Sequence, residues 1–180
     1  MAPQTDAPGA WEGRAGILAV QSRIEQWAAG RQDVLALVLF GSLTRTDRPG
    51  DDWSDIDAFV VVEEPEAWRE NAGAAWLPEI GPTWLNFLHP APLPGLVVHQ
   101  AMFAGGYDAD LILVRPDEVR ALLSEPDVAA AVLGHGMRVA FDRTGLLDGV
   151  GFEDVPAEVS LPTAEELRFV IQTSFHQLVW

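Results

Sequence analysis

Apolar residues follow two different patterns in the first third of the chain, a helical spacing and then two continuous runs. From Arg14 to Gly30 they recur every three or four positions, which is the pattern of an amphipathic helix, and Gly30 marks its end. Two nearly continuous apolar runs follow at Val34–Phe40 and Ile56–Val62. Runs of this kind predict strands that are covered on both faces.

The rest of the chain predicts a mixture of short helices and strands. Residues 96–103 and 108–114 predict a β-hairpin that turns at Gly105-Gly106. The other predicted elements are a short helix at 65–71, an extended segment at 84–88, helices at 117–123 and 127–133, and a strand at 137–141. Prolines interrupt residues 65–89, so no further regular element is predicted there.

Both ends of the chain differ from its centre. Residues 1–12 are rich in Pro, Gly and Ala and predict a loose tail, residues 13–145 predict one domain, and residues 146–162 predict a linker. At 163–180 a capping box precedes an apolar helix face that runs to the end of the sequence. This predicts the first helix of a C-terminal helical region, truncated at Trp180, or a surface that contacts another copy or a helical protein.

Charge and composition narrow the classes of partner. The formal net charge is −16, and all 11 basic residues are arginines. An acidic surface keeps a protein soluble, repels nucleic acid and attracts small cations. The absence of cysteine excludes disulfides and thiol chemistry and fits a reducing cytoplasm. No apolar run is long enough for a membrane span, and no signal peptide is visible, so we expect a cytoplasmic protein without membrane contact.

A polar loop between the two apolar runs carries the first candidate site. Gly41 ends a buried strand and lets the backbone approach a ligand, and Ser42 offers a hydroxyl and an N–H at a predicted helix start. Arg45 lies one helical turn further, where its guanidinium could neutralise a phosphate. The alternative for Arg45 is a solvated helix charge paired with Asp47 or Asp52.

Carboxylates at the start of two predicted strands form the second candidate site. Asp55 and Asp57 are two positions apart, so they point to the same side of the strand. Asp110, and less favourably Asp108, could add a third carboxylate from a neighbouring strand. Adjacent carboxylates repel each other, and a divalent cation such as magnesium removes the conflict. Three carboxylates match the arrangement for two-metal catalysis.

Each feature also has an ordinary structural interpretation. A Gly-Ser pair alone is a common turn, and an Asp-x-Asp pair alone is common on surfaces, but their combination between two buried strands favours a functional site. Trp53 could stack on a base, although a packing role is favoured. The histidines at 89, 99, 135 and 176 lack metal-ligand spacing and are predicted to be structural. Arg48 is predicted to be a surface residue.

The combined motif resembles a known family. Gly41-Ser42, twelve further residues and Asp55-Ile56-Asp57 are similar to the nucleotidyltransferase signature of the DNA polymerase beta superfamily. The wider context, including WLNFL and AMFAGGYDADLILV, most resembles the aminoglycoside 6-adenylyltransferases that modify streptomycin. The resemblance covers about residues 15–120, and the last helix resembles the beginning of that family's helical C-terminal domain.

This resemblance implies an α+β nucleotidyltransferase fold, a small mixed sheet flanked by helices. It implies transfer of a nucleoside monophosphate from a magnesium-bound triphosphate, expected to be ATP, to a hydroxyl of a cationic acceptor such as an aminoglycoside. Asp55, Asp57 and Asp110 would be catalytic metal ligands, with two Mg²⁺ ions expected, and Gly41, Ser42 and Arg45 would bind the nucleotide. The alternatives are an antitoxin-like partner protein of the same fold and an enzyme that modifies a protein hydroxyl.

Overall fold

The computed structural model describes residues 11–70, 75–91 and 93–152 and the single positions 163, 164 and 168. Within these ranges the elements are α1 Arg14–Gly30, β1 Val34–Phe40, β2 Ile56–Val62, α2 Pro65–Glu70, α3 Leu77–Ile80, β3 Thr83–Pro90, β4 Val97–Phe103, β5 Tyr107–Val114, α4 Pro116–Leu123, α5 Pro126–Leu133 and β6 Met137–Asp142. Pro116 and Pro126 begin α4 and α5, where a residue without an N–H costs no helical hydrogen bond. None of the described helices is both long and apolar enough to cross a bilayer.

The strands form one mixed sheet in the order β3-β4-β5-β2-β1-β6. Strands β2 and β5 are parallel and lie side by side at its centre, whereas every other neighbouring pair is antiparallel. Strands β1 and β2 each have a neighbour on both sides, and both faces of the sheet are covered around them. This arrangement explains why their sequences are apolar without alternation.

Two apolar clusters cover the two faces of the sheet. On one face, α1 packs against the sheet through Ile17, Val20 and Ile24. On the other face, α4 and α5 cover part of the sheet, and the cluster includes Phe59 and Ile112. Because side chains alternate along a strand, positions 57 and 110 lie on this second face, beyond the end of its apolar cluster.

The structure confirms the predicted α+β class and most of the predicted elements. Helix α1 and strands β1 and β2 have the predicted bounds, and the hairpin turns at Gly105-Gly106 as expected. The extended segment predicted at 84–88 is the centre of β3. Helix α3 was not predicted, because Pro78 lies within its four residues and interrupts the sequence pattern.

The predicted domain boundaries stay predictions. Residues 1–10, most of the proposed linker and most of the predicted C-terminal helix, with its capping box and apolar face, lie outside the described residues. At the start of the proposed linker, Leu147 is buried in the second apolar cluster. Its N–H donates a 2.7 Å hydrogen bond to the Asp142 carboxylate, which holds this part of the segment against the domain.

The two glycines of α1 give a paired test of this packing. A Cβ at Gly16 would lie 1.9 Å from the hydroxyl oxygen of Tyr107, whereas a Cβ at Gly30 would meet nothing within 4 Å. We expect Gly16→Ala to lower the free energy of unfolding by about 2 kcal/mol, because the Tyr107 ring must move. Gly30→Ala is expected to leave it unchanged or to raise it by up to about 1 kcal/mol. Urea denaturation of both variants measures this, and equal effects would contradict the described contact.

Candidate active site

Three carboxylates meet at one end of the two central strands. Asp57 of β2 and Asp110 of β5 are partners in the parallel register, and Asp55 comes directly before β2. One carboxylate oxygen from each of the three residues lies within 4.8 Å of the other two. The structure thus brings together all three acids that the sequence singled out as metal ligands.

Burial and mutual repulsion raise the pKa values of Asp57 and Asp110. Desolvation raises the pKa of Asp57 to about 7, and the charges of Asp55 and Asp110 add to the rise. Desolvation likewise raises the pKa of Asp110 to about 6, with a contribution from Asp55, although His89 acts in the opposite direction. Without a positive partner, this cluster is costly to keep ionised.

The cluster fits a divalent cation. Among the described residues, the buried Oδ1 of Asp110 accepts no hydrogen bond, although a buried carboxylate oxygen normally has a donor. Three carboxylates within this distance supply the hard oxygen ligands that Mg²⁺ prefers, and a cation would offset both the repulsion and the missing hydrogen bond. Asp55, Asp57 and Asp110 are therefore the residues that would hold a metal.

Gly41 has a steric role beside Asp57. Its φ of +78° is a conformation that residues with a Cβ rarely adopt, and a Cβ there would lie 2.4 Å from Oδ2 of Asp57. The backbone of the Gly-Ser loop can thus approach the carboxylate only because residue 41 is glycine.

The loop after Gly41 differs from the predicted helix. Ser42–Thr44 form a single 3-10 turn, and Arg45 follows it in an extended conformation. The N–H of Gly50 donates to the carbonyl oxygen of Ser42 at 2.8 Å, so the chain turns back before a second helical turn can form. The helix start predicted at Ser42 is therefore present, but the helix is limited to this one turn, and Arg45 lies just after it.

Arg45 lies in this loop, and its side chain is buried instead of being solvated on a helix. Only 8% of the residue is exposed, and its Nε and Nη2 donate to the two carboxylate oxygens of Asp47 at 2.8 and 2.6 Å. Hydrogen bonding from Arg45 lowers the pKa of Asp47 to about 2. The pairing with Asp47 agrees with the alternative considered from the sequence, but the burial does not.

The Gly-Ser loop and the residues just before Asp55 line a cavity of about 610 Å³. Its lining residues are Ser42, Arg45, Arg48, Pro49, Gly50, Asp51, Ser54 and His135. Ser42 follows Gly41, whose backbone adjoins the Asp57 carboxylate, and Ser54 precedes Asp55. Both sides of the cavity therefore continue toward the carboxylate cluster. An elongated anionic ligand could therefore lie in the cavity with one end at the carboxylates.

Two residues of this cavity were not recognised from the sequence. Arg48 is exposed, as predicted for a surface residue, and it lines the cavity. His135, which was predicted to be structural, lines the cavity as well. The signal for Arg48 was its place in the Gly-Ser loop. The signal for His135 was weaker, namely the flanking glycines Gly134 and Gly136, which allow close backbone contact.

Two other residues that the sequence raised as possible site residues lie outside the carboxylate cluster. Asp108 is half-buried, and desolvation together with Asp55 raises its pKa, while a hydrogen bond from Gln100 acts in the opposite direction. It is not one of the three clustered carboxylates. Trp53 is 81% exposed and stacks on Trp11 with ring centroids 5.0 Å apart, so it is not a core residue.

The raised pKa values predict how the stability of the metal-free protein depends on pH. The neutral forms of Asp57 and Asp110 stabilise the folded state fully below pH 4, and this contribution is lost as the pH rises through about 6 and 7. Carboxyls with lowered pKa values, such as that of Asp47, titrate below this window.

Thermal melting in a chelator is therefore expected to show a melting temperature that falls between pH 4 and pH 8. The Asp57→Asn variant should show a smaller fall, because the neutral amide has no proton to lose. A wild-type protein that gains stability across this range relative to the variant would contradict the described burial of Asp57.

The family model described as streptomycin adenylyltransferase matches residues 19–171. No curated protein sequence matches the chain significantly. Among solved structures, an aminoglycoside 6-adenyltransferase from Bacillus subtilis is similar, with 17% sequence identity and a TM-score of 0.43 over 60% of this chain. The matched region spans 37% of that protein's chain.

Proposed function

Since the chain belongs to the streptomycin adenylyltransferase family, as its sequence motifs had suggested, we propose that it transfers AMP from ATP to a hydroxyl group of an aminoglycoside. The observation that carries this proposal is the cluster of Asp55, Asp57 and Asp110 beside the Gly-Ser loop and its cavity. Nucleotidyl transfer needs a place for a triphosphate and a place for divalent cations, and the cavity and the carboxylate cluster would supply them.

In the proposed reaction the acceptor oxygen forms a bond to the α-phosphorus of ATP, and the bond from that phosphorus to pyrophosphate breaks. Mg²⁺ bound by the three carboxylates, with two ions expected, would stabilise the charge on the attacking and leaving oxygens. The Ser42 hydroxyl and the backbone of the Gly-Ser loop would bind phosphate oxygens. A carboxylate oxygen of Asp110 that is not needed by a metal would accept the proton of the acceptor hydroxyl.

The charge of the protein supports a cationic acceptor. The net charge is −16, and an excess of acidic groups attracts a polycationic drug and raises its local concentration. The same charge disfavours RNA as the acceptor. We place the reaction in the cytoplasm, where Mg²⁺ and ATP are both present.

Transfer of label tests this proposal directly. The protein is incubated with magnesium, ATP labelled at the α-phosphate and, in separate reactions, streptomycin and a panel of other aminoglycosides. We expect label on at least one drug together with release of pyrophosphate, and neither product when a chelator removes magnesium. Label on no drug, with magnesium-ATP still bound, would reject the aminoglycoside as acceptor but retain the nucleotide site. No binding of magnesium-ATP would reject the function as a whole.

A further inference from the structure

We propose that His135 is a triphosphate-binding residue that donates a hydrogen bond from Nε2 to a phosphate oxygen of the nucleotide. This inference rests on the proposed function, because it assigns a ligand to the cavity beside the carboxylates. It adds a residue from the connection between α5 and β6, 93 positions after Ser42.

The backbone fixes the position of His135 relative to the Gly-Ser loop. The N–H of Gly41 donates to the carbonyl oxygen of Gly136 at 3.0 Å. At Gly136, φ is +117°, and a Cβ would lie 2.9 Å from both the backbone nitrogen of Arg45 and the carbonyl oxygen of Gly41. The two loops are therefore packed closely backbone to backbone, and His135 is held at the wall of the cavity.

The two ring nitrogens of His135 have different surroundings. Nδ1 is buried without a hydrogen-bond partner among the described residues. A proton on Nδ1 would be a buried donor with no acceptor, which is costly, so the neutral ring favours the proton on Nε2. Nε2 also has no partner in the described chain but is not buried, which leaves it accessible to the cavity that His135 lines. The ring thus presents an N–H donor to whatever occupies the cavity.

Few other hydrogen-bond donors near the cavity are available to a phosphate, so a donor from His135 would strengthen binding. The chain has no lysine, and two of the guanidinium nitrogens of Arg45 already donate to Asp47. The guanidinium of Arg48 makes no ion pair within the described ranges and can turn to an anion. Asp51 brings a negative charge to the same cavity. A triphosphate bound there gains from each additional donor that faces its oxygens.

Binding measurements on His135 variants test the proposal. Titration calorimetry would measure the affinity of magnesium-bound ATP, of magnesium-bound inorganic tripolyphosphate and of AMP, with no acceptor present. We expect His135→Ala to lower the affinity for ATP and for tripolyphosphate by about tenfold, which is typical of a lost hydrogen bond to a charged group. The affinity for AMP should not change. His135→Gln should retain most of the affinity because its amide nitrogen can occupy the place of Nε2. His135→Asn should resemble His135→Ala.

Arg138→Ala is the matched control. Arg138 lies three residues further along the chain, but its guanidinium pairs with Glu25 of α1 on the other face of the sheet. Its removal should leave tripolyphosphate affinity unchanged, although it removes a full positive charge. Thermal melting of every variant shows whether the fold is retained, and His135→Gln provides the comparison if His135→Ala does not fold.

The outcomes separate this inference from the proposed function. If the wild type binds ATP and tripolyphosphate and His135→Ala binds them equally well, the role of His135 is wrong while the nucleotide site stands. If His135→Ala lowers the affinity for AMP as much as the affinity for ATP, the residue contacts the nucleoside or supports the fold, and the inference is also wrong. If the wild type binds neither ATP nor tripolyphosphate, the proposed function fails and this inference fails with it.

Discussion

Replacing Asp57 by asparagine is expected to lower kcat/KM for nucleotidyl transfer by about three orders of magnitude while the protein stays folded. Asp57 is the central carboxylate of the cluster, since it pairs with Asp110 across the sheet and lies two positions after Asp55. An amide has nearly the same shape as a carboxylate, but it is a poor ligand for a hard cation. Initial rates of pyrophosphate release with wild type and variant measure this change.

A second measurement separates loss of metal binding from general damage. In a chelator at pH 8, Asp57→Asn should melt at a higher temperature than the wild type, because it removes a buried charge from a repelling cluster. Added Mg²⁺ should raise the melting temperature of the wild type, since a ligand that binds only the folded state stabilises it, and should barely raise that of the variant. Asp108→Asn is the comparison, because Asp108 is half-buried nearby but outside the cluster. An Asp57→Asn protein that kept full transfer activity would contradict the assignment.

Gly41→Ala is expected to lower kcat/KM by about a hundredfold, because a catalytic group moved by an ångström can cost that much. The new Cβ would lie 2.4 Å from Oδ2 of Asp57, so either the loop or the carboxylate must move. The positive φ adds about 1–2 kcal/mol of backbone strain. Steady-state kinetics together with urea denaturation measure both effects.

Gly95→Ala is a control that separates the effect of backbone strain from the effect of displacing the Asp57 carboxylate. Gly95 has a φ of +82°, almost equal to that of Gly41, but a Cβ there would meet nothing within 4 Å. This variant should lose stability because of its positive φ and keep its kcat/KM. If both variants lost activity equally, the contact between Gly41 and Asp57 would not be the cause.

The sequence predicted the site as far as local patterns extend. The two-residue period of a strand placed Asp55 and Asp57 on one side, and the apolar run around them indicated burial. The hairpin was also predicted, but its second strand, β5, lies beside β2 through a parallel pairing that no local pattern specifies. The meeting of Asp57 and Asp110 was therefore only one possibility from the residues, was favoured by the family resemblance, and is observed in the fold.

The features of the site that the sequence did not predict have long-range or tertiary causes. Arg45 was assigned to a helix because its spacing from Ser42 fits one turn, but a hydrogen bond from Gly50 closes the loop first. His135 was predicted to be structural because it has no metal-ligand spacing, and its place in the cavity wall was not predicted. Its position depends on contact between Gly136 and the Gly-Ser loop, which are distant in sequence.

The parallel pairing of β2 and β5 also determines when the cation site can form during folding. The connection between these strands contains the β3–β4 hairpin, so the pair closes a long loop and is a slow, non-local step. A slip of one residue would turn Asp110 toward the face covered by α1 and bring Ala109 or Leu111 beside Asp57. A nascent chain with that misregister could retain a sheet but would lack a cation site. Metal affinity that appears late during refolding would thus report that the central strands have aligned correctly.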